Sequence, residues 1–363
     1  MLPLTSTIIS KIPDPETTVQ STDRRKTLET NTFWLLDGRH RVITMDRGPA
    51  VKAAGFLVLT VISIPANLAV CSAFLCSFLA EGKLMTADII LCHLALVNLL
   101  VAFVRSIPQT LAAFGYQNLF DDLGCKLSLL CFRILRGLSI SLTCLLSTYQ
   151  AVLIAPASSK LLAPLKHRIP KYLPHIFLCL YVFCSITSVH TILYAVSKLV
   201  NNTIPPYTFN LDYCFVRYTD YSAYLGTGLS NFWKDFVFIV LMTVMSFYIV
   251  ILLYKHGKKV KSIRSSDRCS TGARAETKAS RAVVTLVILY VIFFGVDNAI
   301  WLYSLTIVRV APLLSDLRVF FSSLYTSVCP VVVIITNPKV KAKIKMTRTT
   351  KLSHSAPSTS SSV

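Results

Sequence analysis

The sequence predicts an all-α membrane protein, a bundle of seven transmembrane helices. Three observations predict it. Of 363 residues, 53% are hydrophobic and 15% charged, with a mean hydropathy of +0.60, far from the balance of a water-soluble domain. The apolar residues gather in seven runs, and a helical crossing takes about 20 such residues at ~1.5 Å each. The charges, net +20, sit in the gaps between the runs. That is how a membrane protein faces an anionic leaflet, so the charge argues for membrane lipids as partners and against nucleic acid.

Residues 1–50 are polar and mixed in charge, with Pro13, Pro15 and a Ser/Thr cluster. No apolar face recurs there, so an extracellular, disordered tail is expected. Met45 precedes the first span, so residues 1–44 are either such a tail or a stretch upstream of an alternative start. The first residues lack a basic segment followed by an apolar core, and the first span is expected to serve as its own signal. The membrane domain is expected over 51–337. Its spans are 53–79, 86–113, 125–154, 171–197, 229–254, 281–307 and 315–336. A cytoplasmic end, 338–363, is basic and then rich in Ser and Thr.

Topology follows from the basic residues. Lys and Arg crowd the loops after spans one, three and five and the C-terminal end, and are sparse in the other three loops. The N-terminus is therefore expected outside. The sequon Asn201-Asn202-Thr203 then falls outside, where Asn201 can be glycosylated. Most of the eleven cysteines lie within apolar runs and read as small buried hydrophobes. Cys125 and Cys214 lie near span ends on the outer side, where an oxidising lumen permits a bridge.

No catalytic constellation is present. The chain has no Gly-rich phosphate loop, no HExxH, no GxSxG and no paired-Cys zinc spacing. No enzyme activity, cofactor or metal is expected. The spans nonetheless carry Arg133, Arg136, Asp235 and Asp297, and charge against hydrocarbon is costly. These residues must face protein, water or a ligand. They cluster in the outer half and middle of the spans, while the inner halves are apolar. That pattern favours a blind pocket over the through-path of a transporter, the alternative from another class. No internal repeat of the transporter kind is visible.

Several blocks carry a specific resemblance. They are His93-Leu94-Ala95-Leu96, Asn98-Leu99-Leu100, Ile107-Pro108-Gln109-Thr110 and Ala112-Ala113-Phe114-Gly115 in span two. Span three adds Gly124-Cys125-Lys126-Leu127, Arg136-Gly137-Leu138-Ser139-Ile140, Thr143-Cys144-Leu145-Leu146-Ser147 and Gln150-Ala151. Tyr213-Cys214 and Cys329-Pro330 follow. Over about 50–340 the chain resembles the vomeronasal type-1 receptors and their fish olfactory branch, which are G protein-coupled receptors. It departs from the wider rhodopsin-like pattern as that family does. Asn98 stands where an aspartate is usual, and Tyr149-Gln150 where an acid and arginine are usual. The usual sodium site and ionic lock therefore lack their residues.

The resemblance implies a plasma-membrane receptor of sensory neurons that binds a small pheromone or odorant and activates a heterotrimeric G protein. A bitter-taste receptor is the nearest alternative. The polar lining is expected from Gln109, Arg133, Arg136, Asp235, Asp297 and Trp301, with Lys234 snorkelling near the outer end of span five. Arg136 lies about ten residues, or ~15 Å, past the outer end of span three, and Asp297 lies at nearly the same depth in span six. They are expected to face one another. An acidic ligand would compete for Arg136 and an amine for Asp297; a permanent ion pair is the other reading. Coupling is expected from Gln150, Lys255, Lys258, Lys259, Lys261 and Arg281 at the inner surface.

Overall fold

The computed structural model describes residues 33–36, 42–45, 47–116, 118–156, 159–160, 162–198, 205–262, 271–305 and 312–355. By internal contacts the chain divides at Val51. The first unit holds two antiparallel strands, β1 (Phe33–Leu36) and β2 (Val42–Met45), with Phe33 opposite Met45 and Leu36 opposite Val42. This corrects the expectation of an unstructured 1–50 over these strands. β1 begins with two aromatic residues and β2 with three β-branched ones, too brief to show a period but fit for a pleated pair.

The second unit, from Lys52 on, is mostly helical. Its helices are α1 (Arg47–Glu81, of which it holds Lys52 onward), α2 (Thr86–Val101), α3 (Ile107–Ala113), α4 (Asp122–Ile154), α5 (Leu165–Ser188), α6 (Tyr221–Ser262), α7 (Thr271–Leu305), α8 (Pro312–Thr336) and α9 (Pro338–Ser355). The π turn Ala102–Ser106 joins α2 and α3 into one rod. Among the described residues, seven rods are long and apolar enough to cross a membrane. Helix ends follow local chemistry. Gly82, with φ +65°, stops α1 and donates its N–H to the Phe78 carbonyl at 2.8 Å. Asp121 caps α4 by accepting from the Gly124 N–H at 2.7 Å. The Asn337 side chain accepts from the Lys339 and Val340 N–H groups, and Pro338 opens α9.

Two prolines inside the rods show how buried backbone is kept satisfied. Pro108 cannot donate to the Val104 carbonyl, and Ser128 of α4 does so instead at 3.1 Å. Pro330 cannot donate to the Thr326 carbonyl, and Asn67 of α1 takes it at 3.1 Å with Ser63 at 3.3 Å. Each freed acceptor thus ties two helices together.

Three span boundaries differ from the sequence reading. The fourth rod runs Leu165–Leu193, with Pro170 and Pro174 inside it, and ends in a 3₁₀ turn. Residues 195–196 are a strand rather than helix. The fifth rod starts at Tyr221 rather than near 229, because Tyr221–Gly228 is polar and Gly-containing but helical. That shift puts Lys234 about 13 residues, or ~20 Å, inside the helix. The connection read as a polar loop holds a three-stranded antiparallel sheet. It consists of β3 (Ala195–Val196), β4 (Thr208–Asn210) and β5 (Phe215–Arg217), ordered β3-β5-β4.

Candidate functional site

The site lies in the half of the bundle that carries the Cys125–Cys214 disulfide. Arg133 and Arg136 are three residues apart on α4 and so share one face. Asp297 and Trp301 are four apart on α7 and share another. Asp297 accepts from Arg136 Nη2 at 2.9 Å through Oδ2, and from Arg318 Nε of α8 at 3.2 Å through Oδ1. Asp235 of α6 lies 3.8 Å from Arg136 Nε, and Lys234 lies 4.0 Å from Asp235. Four helices are thereby linked through one buried charge network. The Asp297 carboxylate, 5% exposed, is bonded on both oxygens, the condition for burying a charge.

Beside this network lies a cavity of about 110 Å³. Its lining includes Arg105, Arg133, Arg136 and Arg318 against Asp235 and Asp297. Four guanidinium groups to two carboxylates leave the cavity electropositive. A smaller cavity, about 30 Å³, lies against the same Arg136 and Asp297 beside Tyr290 and Tyr325. The ion pair thus borders both spaces.

The sheet contributes to the cavity wall. The disulfide ties the first turn of α4 to the residue before β5, and Asp122 accepts from the Ser197 N–H and hydroxyl at 2.7 and 2.6 Å. Phe209, Leu211, Val216 and Tyr218 of this segment line the cavity. Between β4 and β5, Asp212 turns at φ +64°, with its N–H held by Asn210 Oδ1 at 2.7 Å. Its carboxylate is 2.6 Å from Lys52, which also pairs with Asp316 at 2.7 Å. One lysine so ties the turn to α1 and α8. Burial pushes the Tyr213 and Tyr218 phenols up, against the opposing pull of Arg105 and Arg133 respectively. Both stay protonated at physiological pH. On the opposite wall, the Trp301 indole lies directly on the backbone of Gly228, where any Cβ would collide with it. Phe232 stacks against the same ring at 6.3 Å.

Of the lining expected from sequence, the structure brings Arg133, Arg136, Asp235, Asp297 and Trp301 to one cavity. It does not bring Gln109, which is buried and donates to Asp212 at 3.2 Å. Lys234 does not snorkel: its side chain is 9% exposed and sits beside Asp235. Arg318 and Arg105 were not expected in the lining. Arg318 sits only three residues inside the seventh span as read from sequence, which suggests a rim residue. Arg105 lies within a π turn that no apolar period reveals.

At the opposite, basic end, Gln150 is buried and accepts from the Ser280 hydroxyl at 3.5 Å. A cavity of about 50 Å³ lies beside it, between α2, α7 and α8. Lys255 and Arg281 are exposed. Lys258, Lys259 and Lys261 continue α6, and their side chains lie outside the described residues, as does Asn201. Lys339 of α9 pairs with Asp88 at the start of α2 at 2.8 Å.

The profile of the vomeronasal organ pheromone receptor family matches residues 51–346. The chain belongs to this family. This vomeronasal-type receptor is 41% identical over 300 residues to Olfactory receptor class A-like protein 1 of Danio rerio, covering 83% of this chain and 93% of that one. It is 28% identical over 310 residues to Vomeronasal type-1 receptor 1 of Gorilla gorilla gorilla, covering 85% and 86%. Squid rhodopsin shares the fold at a TM-score of 0.62 and 19% identity, over 86% of this chain and 89% of that one. The vomeronasal-type chain is therefore a multi-pass membrane protein with the G protein-coupled receptor fold, a receptor by family and not an enzyme.

Proposed function

We infer that this chain is a chemosensory receptor of the plasma membrane, which binds a small pheromone or odorant in the 110 Å³ cavity and activates a heterotrimeric G protein. The observation that carries the reading is the charge network at the cavity. Asp297 holds Arg136 of α4 and Arg318 of α8 at once, and Arg136 also faces Asp235 of α6. A ligand that competes for any of these groups changes what holds four helices together. Such a ligand shifts a receptor between states only by binding one of them better, and a shared ion network supplies that difference. The excess of guanidinium groups favours ligands with an acidic group over amines.

The crowding of Lys and Arg at the other end supports an N-terminus outside and a G protein surface at Gln150, Lys255, Lys258, Lys259, Lys261 and Arg281. The same orientation puts Asn201 on the side where glycosylation occurs. The name of the fish relative supports expression in olfactory neurons. The test is a screen of small acids, amines and steroids on cells carrying the full chain and a promiscuous G protein. A saturable response, lost in Asp297→Ala at equal surface expression, supports the reading. No response to any panel compound that binds the purified receptor contradicts it.

A further inference from the structure

The four arginines at the cavity are not equivalent. Arg136 and Arg318 both bond Asp297. Among the described residues, neither Arg105 nor Arg133 forms an ion pair. Arg105 is 6% exposed, lines the cavity, and its Nε has no hydrogen-bond partner in the protein. Its guanidinium lies 3.8 Å over the Phe132 ring, which holds the group beside α4, and Arg133 lines the same cavity. A ring face stabilises the cation but takes none of its five N–H donors. Thr191, 5% exposed, also lines this side with an unpartnered hydroxyl. The π turn at Ala102–Ser106 is what carries Arg105 to this place.

Arg105 and Arg133 line one cavity in the bundle interior, neither has a carboxylate within ion-pair distance, and a cation drawn out of water is stabilised by an anion. We propose that Arg105, Arg133 and Thr191 form a site for one small monoanion, separate from the Arg136–Asp297–Arg318 network. The monoanion is either chloride or the carboxylate or sulfonate head of the receptor's ligand. The site rests on the cavity of the receptor reading but not on signalling.

The test uses the full-length receptor in lipid nanodiscs without G protein. Its melting temperature is read in sodium chloride, sodium benzoate, sodium methanesulfonate and sodium gluconate at equal ionic strength. Chloride is expected to raise the midpoint over gluconate by about 2–4 °C. Arg105→Gln with Arg133→Gln abolishes the rise. If benzoate or methanesulfonate raises the midpoint and chloride does not, with the same loss in the double variant, the anion is a ligand's head group. Equal midpoints in all four salts, or the same rise in the double variant, overturn the proposal. Should the double variant not fold, binding of radiolabelled chloride and benzoate to the unaltered protein decides. Saturable binding of either, weakened in Arg105→Lys, supports the site; no saturable binding of either overturns it. A failed receptor reading shows instead as absent nucleotide exchange on the G protein with the anion effect intact.

Discussion

The two halves of the bundle bury polar groups in different ways. In the half bearing the disulfide they are charged, border cavities and are shared between helices, as with Asp297 between Arg136 and Arg318. In the other half the interior ones are mostly neutral and hydrogen-bonded between helices, and the buried Asp88, paired with Lys339, sits at its end. Ser139 donates to Asn98 at 2.8 Å, Thr143 and Tyr325 share a hydrogen bond of 2.7 Å, and His93 meets Tyr181 at 2.9 Å. The difference teaches that the same helices are joined at one end by neutral hydrogen bonds and at the other by shared charges. A ligand group of either sign can compete for a charge in the first region. The polar pairs of the second offer a ligand no such charge, and Leu94, Leu138, Leu142 and Leu286 pack among them.

The comparison predicts unequal costs. Asp297→Ala leaves Arg318 without its carboxylate and Arg136 with Asp235 alone, and should cost about 3–5 kcal/mol, read as loss of surface expression and melting temperature. Cys125→Ser or Cys214→Ser frees the sheet segment from α4 and should cost about 2–4 kcal/mol; surface labelling of each single variant checks it. Gly228→Ala forces Trp301 off the backbone and should cost about 1–3 kcal/mol. Its loss of ligand potency should exceed its loss of expression, because the displaced ring is a cavity wall. In the other half, Thr143→Val removes one bond between helices, to Tyr325, and one within α4, to the Ser139 carbonyl, and should cost only about 0.6–1.7 kcal/mol, with ligand potency unchanged. Asp88→Asn breaks an ion pair whose lysine is 39% exposed and should change stability by under about 1 kcal/mol. A cost for Thr143→Val as large as that for Asp297→Ala would erase the distinction between the halves.

Much of the fold was legible because a bilayer demands long apolar runs, and each run became a rod. The sheet was not legible, since β3 to β5 are two or three residues each and show no alternation. The start of α6 was hidden by Gly226 and Gly228, which read as loop, although Gly228 serves a close helix contact at Trp301. That error placed Lys234 at a rim rather than beside Asp235. Arg136 and Asp297 were legible as partners because depth along two helices can be counted from their ends. Arg105 and Gln109 were not resolved by the same reasoning. A π turn precedes Gln109 and contains Arg105, so a regular helical wheel carried on from Asn98 no longer says which side each one faces.

The central claim is that the Arg136–Asp297 pair is a ligand-responsive element and not only a structural bond. A double-mutant cycle tests it most directly. Ligand potency is measured for Arg136→Ala, Asp297→Ala, both together, and the charge swap Arg136→Asp with Asp297→Arg, at matched surface expression. The account predicts strong coupling, with the double variant losing much less potency than the two single losses added, and partial rescue by the swap. Additive losses with no rescue, or full potency in Arg136→Ala for every active compound, would contradict it.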